Sequence, residues 1–234
     1  MTNDGSGDEP AVSWRELAVA RSLDSARTRA ESRVQRFLDA ALELMDGSES
    51  KEFTVQEVVE RSGQSLRSFY QYFGGKHELL LALFEESIRS TADYLGECVA
   101  EEDDALERLR RFVVEYYQIC RPTPDSKKSA RPTPSAILVE FAQQLLTAHP
   151  KEASRAFVPL VSLFEGILED AVTAGVVRVD LRRRSIAGIV LQAIMFNAFS
   201  STISGDNVLQ HEDVDTAAEV WALLLNGIGE GSAA

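Results

Sequence analysis

The apolar residues of this chain recur with helical spacing almost from end to end, and nowhere with the sustained alternation that a half-buried strand requires. From about Ala30 to Met45, the residues Val34, Phe37, Leu38, Ala41 and Leu44 keep the i, i+3, i+4, i+7 rule. Helices are expected again over about 78–99, 103–120, 135–148, 151–174, 183–203 and 214–227. The fold class is therefore all-α. A chain of 234 residues can build one large domain, or a small one plus a larger one. No run of 18 apolar residues occurs, and the start, MTNDGSGDEP, lacks the basic and apolar segments of a secretory signal, so a cytoplasmic protein is expected. Cys98 and Cys120 both fall inside helical patterns and read as buried free thiols. The histidines His77, His149 and His211 are scattered, with no metal-ligand spacing, so neither a metal nor a cofactor is expected.

The punctuation between residues 46 and 66 is more specific. Gly47 and Ser48 end the first core helix. Thr54, with Glu57 three residues on, has the form of a capping box opening a second helix, whose apolar face is Val55, Val58 and Val59. Gly63 breaks that helix, and Ser65 is a good N-cap for a third. On a helical wheel of about 100° per residue, Leu66, Phe69 and Phe73 share an arc of roughly 60°, with Tyr70 beside it, while Arg67, Ser68, Gln71 and Tyr72 take the opposite arc of roughly 140°. One face is aromatic core. The other carries a guanidinium, a hydroxyl, an amide and a phenol. Such groups suit a DNA duplex: arginine pairs with guanine, glutamine with adenine, and hydroxyls with phosphate oxygens. Two short helices about a glycine turn make a helix-turn-helix, although many helical hairpins present a polar face only to solvent.

Charge restricts where such binding could occur. The chain carries net −13, which repels nucleic acid overall. Residues 27–77, however, hold eight basic and eight acidic side chains, so the segment with the two-faced helix is neutral. Ahead of it, residues 1–12 read as disordered and 13–30 as a short extra helix. Arg21, Arg27, Arg29 and Arg33 make this approach basic. They form either a solvated lead-in or an arm touching the DNA backbone or minor groove. Trp14 could pack on the three-helix domain and order the extension.

The segment FTVQEVVERSGQSLRSFYQYFGGKHELLLALFEE resembles the DNA-binding signature of the TetR family of bacterial transcriptional regulators. The matching features are Thr54–Val55, Gly63, Ser65, the aromatic series Phe69, Tyr70, Tyr72 and Phe73, then Lys76 and Leu79–Leu80. They span about residues 30–90. The resemblance implies an N-terminal extension over 1–29, a helix-turn-helix domain over 30–77 and a helical effector-binding and dimerisation domain over 78–234. It places Thr54, Gln64, Ser65, Arg67, Ser68, Tyr70, Gln71, Tyr72 and Lys76 at or near double-stranded DNA. Tyr70, Tyr72 and Lys76 would hold phosphates, and Arg67, Ser68 and Gln71 would read bases. Gln64 and Leu66–Arg67 depart from the family, which often has a small apolar residue at the first position and a Lys–Gly pair at the others. Arg67 on the reading face hints at a guanine contact, and Leu66 is expected to pack inward.

For the larger region the resemblance implies a homodimer released from DNA by a small-molecule effector. The helix near 78–99, roughly 33 Å long, is a plausible lever between the two functions. Tyr94, Phe112, Tyr116, Tyr117, Phe141, Phe164, Met195 and Phe199 are pocket candidates, with plain core packing the competing reading for each. Their aromatic bias favours an apolar effector. No buried charge stands out to orient it. Arg182–Arg184 read as solvated, and a phosphate-bearing ligand such as an acyl-CoA is the less favoured class. Ile189, Phe196, Trp221, Leu224 and Leu225 lie on late helices that are apolar nearly all round and would pair across a two-fold. Residues 121–134, RPTPDSKKSARPTP, form a long polar loop. No nucleophile elbow, phosphate loop or metal motif points to an enzyme. The rival reading is a helical dimeric ligand sensor or protein-interaction module that has lost DNA binding.

Overall fold

The computed structural model describes residues 13–46, 53–121, 132, 136–178, 180, 182–203 and 216–228. The described residues divide into two compact units, one of residues 13–46 and 53–76, the other from His77 onward. The first holds α1 (Trp14–Asp46), α2 (Val55–Ser62) and α3 (Leu66–Tyr72). The second holds α4 (Lys76–Ala100, begun on the last residue of the first unit), α5 (Ala105–Cys120), α6 (Ala136–Ala148), α7 (Pro150–Ala156), α8 (Val158–Thr173), α9 (Arg183–Ile203) and α10 (Thr216–Ile228). The all-α expectation holds, and no strand occurs among the described residues.

In the first unit the core follows the predicted period. Phe37, Ala40, Ala41 and Met45 from α1 are buried with Val58, Val59, Phe69 and Phe73. Phe37 stands edge-on to both Phe69 and Phe73, with ring centroids 5.4 and 6.1 Å apart. The edge-to-face arrangement sets the positive rim of one ring against the negative face of the next.

Two expectations about α1 are corrected. No break separates an extra helix from the core helix; one helix of 33 residues runs throughout. Trp14 does not pack on the domain, for it is 80% exposed. The reason is local. Residues 13–29 carry no Gly or Pro to stop a helix, and i, i+4 links such as the Arg27 Nε bond to Glu31 Oε1 at 2.7 Å support it. Residues 1–12 and most of the 121–134 loop lie outside the described residues.

In the second unit α5 is the hub, packed against α8, α9 and α10. Leu109, Phe112, Val113, Tyr116 and Ile119 are all buried. Phe112 stacks on Phe164 of α8 at 4.5 Å. The helix expected over 151–174 is two helices, interrupted at Phe157. Pro159 explains the interruption: proline lacks a donor and is tolerated only in a helix's first turn, so a new helix must start just before it. No helix among the described residues is long and apolar enough to cross a membrane.

Candidate functional site

The turn between α2 and α3 is fixed by its own residues. Thr54 has extended backbone, its Oγ1 accepts from the Glu57 N–H, and its own N–H donates to Glu57 Oε2 at 2.7 Å. This is the predicted capping box, reciprocal in both bonds. Gly63 closes α2 with φ +65°, a left-handed conformation that glycine adopts without a Cβ penalty. Its N–H donates to the Glu60 carbonyl, and the Gln64 N–H to the Val59 carbonyl. These bonds satisfy carbonyls that the helix end would otherwise leave open. Ser65 then caps α3, its side chain accepting from the Ser68 N–H.

The result is a short helix held by one face. Phe69 is fully buried and Phe73 nearly so, while Arg67, Tyr70 and Gln71 are exposed and Tyr72 is half-buried. Leu66 corrects the inward reading: it is 43% exposed and stands with the outer residues. At the first position of α3 its side chain precedes the contact with Phe37 that Phe69 and Phe73 make.

Three other residues turn toward the inside of the unit or its neighbours, two of them with a partner. The amide of Gln64 donates to the carbonyl of Arg33 in α1 at 3.2 Å, tying the turn to the first helix. Ser68 Oγ is shielded from solvent and has no hydrogen-bond partner. Lys76 lies 4.8 Å from the centre of the Phe53 ring, a cation–π contact.

The pocket candidates divide differently. Phe112, Tyr116, Tyr117, Phe141, Phe164 and Met195 are buried, and Tyr94 is half-buried. The side chain of Phe199 lies outside the described residues. Phe112 and Phe164 spend their faces on each other. Cavities open among the described residues of this unit. One, of about 290 Å³, is lined by Leu146, Pro150, Phe157, Val158, Val161, Gly188, Leu191 and Met195, with Arg184 at its edge. A smaller one of about 40 Å³ lies among Phe84, Ile88, Tyr116, Ile119, Leu138 and Met195. Phe157 and Met195 line both. Of the predicted set, Tyr116 and Met195 line a cavity. Arg184, read as solvated, is indeed largely exposed and pairs with Glu165 at 3.6 Å, yet it also borders the larger space.

A buried carboxyl group is present after all. Glu115 is 4% exposed, accepts a 3.4 Å bond from the Tyr94 hydroxyl and lies 3.5 Å from Arg111 Nε. One turn on, burial pushes the Cys120 thiol up to about 12, and it raises the Tyr116 phenol well above its ordinary value. Sequence reading missed Glu115 because charge on a helix is ordinarily a solvated face.

The scattered histidines are also corrected. His77 Nε2 lies 2.8 Å from Glu152 Oε2, and the rings of His77 and His149 are 4.8 Å apart. The expected dimer residues are unevenly covered. Ile189 is 62% and Phe196 46% exposed, one heptad apart on α9, and Trp221, Leu224 and Leu225 are half-buried on α10.

Capped helices about a left-handed glycine, with an aromatic inner face and a polar outer one, define a helix-turn-helix unit joined to a larger helical one. Residues 37–83 match the family model of bacterial regulatory proteins, tetR family. The resemblance drawn from the sequence is thus borne out over this segment. The fatty acid metabolism regulator protein of Bacillus subtilis (strain 168) is 21% identical over 197 residues, covering 82% of this chain and 94% of its own. The fatty acid degradation regulator FadR of Bacillus halodurans has a similar fold, with TM-score 0.58, 17% identity and coverage of 83% of this chain and 95% of its own. FadR from Bacillus subtilis in complex with stearoyl-CoA gives TM-score 0.55 at 17% identity, covering 83% of this chain and 98% of its own.

Proposed function

We propose that the protein is a ligand-responsive transcriptional repressor that binds an inverted-repeat operator as a homodimer. The observation that carries this reading is α3. Its buried Phe69 anchors it, and Leu66, Arg67, Tyr70 and Gln71 stand outward together on a helix set by the Gly63 turn. A helix presented in this way can enter the major groove. Arg67 and Gln71 are the base readers, and exposed Leu66 is placed to meet a thymine methyl. Tyr70, Tyr72 and Lys76 hold phosphates, Thr54 and Ser65 orient the helix, and Gln64 braces the turn. Ser68 reaches a base only if its hydroxyl turns outward. Ile189 and Phe196, exposed on α9, mark the dimer face, with Trp221, Leu224 and Leu225 of α10 beside them in the same role.

The effector is an acyl chain with an anionic end. The B. subtilis structure with stearoyl-CoA favours that class, and so does the cavity, whose lining sets apolar side chains beside Ser154, Gln192 and Arg184. Its 290 Å³ is small for a ligand site. A long chain fits once Phe157 and Met195 move aside and the two cavities join. Such binding shifts the regulator only if the states with and without DNA take the ligand unequally.

Footprinting of the purified protein on the DNA upstream of its own gene, with Arg67→Ala in parallel, tests the reading. Protection of an inverted repeat, weakened in the variant and released by a long-chain acyl-CoA, is expected. No protection there or on a genomic DNA pool would leave the helical ligand sensor that has lost DNA binding.

A further inference from the structure

Two of the three histidines meet one carboxylate in the second unit. His77 lies in the first turn of α4, His149 immediately precedes α7, and Glu152 is in the first turn of α7. One ligand atom from each lies within 4.8 Å of the other two. His149 and Glu152 are three residues apart and share a face of the same turn.

From these residues we propose a binding site for a divalent first-row transition metal, Zn²⁺ in the first instance, held by His77, His149 and Glu152. Two imidazoles and one carboxylate are a borderline donor set. It suits Zn²⁺, Co²⁺ or Ni²⁺, whereas Mg²⁺ and Ca²⁺ favour oxygen alone. Bonds of about 2.0–2.1 Å around a tetrahedral ion hold the ligand atoms roughly 3.3 Å apart. His77 Nε2 lies 2.8 Å from Glu152 Oε2 and His149 Nδ1 4.0 Å from the other carboxylate oxygen, Oε1, while a set of one atom from each residue lies within 4.8 Å, somewhat wider than that value. Small side-chain rotations close the set.

The surroundings fit an ion better than a simple His77–Glu152 pair. A pair needs no second imidazole, yet His149 sits 4.8 Å from the His77 ring and makes no side-chain cap bond to α7. Phe141 packs on His77 at 5.4 Å and limits its rotation. Of the two cations on α7, Arg155 pairs with Glu85 of α4 at 3.1 Å while still acting on Glu152, and Lys151 adjoins Glu152 in sequence. The three side chains remain 36–45% exposed, so an ion can reach them and water can complete its shell. In sequence the only hint was the His149–Glu152 spacing, because its partner His77 lies 75 residues from Glu152.

The proposal does not depend on DNA binding and is tested apart from it. Chelator-stripped, untagged full-length protein is titrated with Zn²⁺ by calorimetry, and with Co²⁺ by its visible absorption. One ion per chain is expected, with melting temperature raised by Zn²⁺ and restored by chelator. His149→Ala and Glu152→Gln are each expected to weaken Zn²⁺ binding at least tenfold and to remove the melting shift, with unchanged circular dichroism. Both substitutions are at solvent-accessible side chains and leave the core intact. Absence of Zn²⁺ binding to the wild type, or wild-type affinity in both variants, overturns the site.

Discussion

Phe37 and Phe69 meet edge to face, ring centroids 5.4 Å apart and planes at 90°, and both are fully buried. Through this contact the long α1 fixes α3, so the outer residues of α3 owe their placement to a ring 32 positions earlier in the chain. Truncating either ring leaves a cavity that neighbouring side chains fill only in part. Phe69→Ala is expected to destabilise the first unit by about 3–5 kcal/mol. Chemical denaturation followed by circular dichroism checks this. A loss below about 1 kcal/mol would mean that α3 is held by something other than its aromatic face.

Gly63 makes a narrower prediction. Its φ is +65°, and a Cβ built there would meet nothing within 4 Å. A side chain is therefore opposed only by backbone conformation. Gly63→Ala is expected to cost about 1–2 kcal/mol, and Gly63→Asn less, since asparagine tolerates the left-handed region. Equal costs for the two variants, read from denaturation midpoints, would point to a clash instead.

The outcome of sequence reading follows the range of the interaction. The spacing of Phe69 and Phe73, the Thr54–Glu57 box and the Gly63 turn are each written within a few positions, and their patterns were legible, although the ring that covers Phe69 and Phe73 is the distant Phe37. The bond from Gln64 to the Arg33 carbonyl spans 31 positions and that from His77 to Glu152 spans 75, beyond any periodicity. Leu66 misled because a helical wheel assigns a direction without saying how far the covering helix extends. Glu115 misled because its partners, Tyr94 on α4 and the neighbouring Arg111, bury it against ordinary expectation. Phe157 was passed over because the apolar period continues through it while Pro159 ends the helix.

Cys120 offers a test by chemistry. Its thiol is buried beside Tyr116 and pushed up to about 12, against 9.0 for an ordinary cysteine. The folded state therefore holds this proton more tightly than the unfolded one. The stability this contributes is fully present below about pH 9, and it is lost as pH rises from there toward 12. At pH 8 the native protein is expected to leave both buried cysteines unmodified by a thiol reagent, and denaturant is expected to expose two. Rapid labelling of Cys120 in the native state would show that α5 opens locally.

Exposed Ile189 and Phe196 test assembly. They lie seven residues apart on α9, and the proposed dimer covers them. Ile189→Glu with Phe196→Glu is expected to convert a dimer to a monomer in sedimentation, without loss of helicity, because neither side chain belongs to the core of one chain. An unchanged dimer would place the two-fold elsewhere.

The two kinds of DNA contact separate by their salt dependence. Arg67 is exposed on α3, so Arg67→Ala is expected to change stability by no more than about 0.5 kcal/mol. In its proposed role as a base reader, however, it would carry discrimination, and its loss should cost about 1–3 kcal/mol of operator affinity and relax specificity at one position. Lys76→Ala should behave differently. A phosphate contact weakens all sequences alike, and its removal lowers the salt slope of binding by about one. Because Lys76 also lies over Phe53, Lys76→Gln is the better variant for retaining the chain stem there. Binding isotherms at several salt concentrations, on operator and on scrambled DNA, distinguish the two. If Arg67→Ala lowered affinity equally for both DNAs, the arginine would be a backbone contact, and Gln71 would be left as the principal reader of α3.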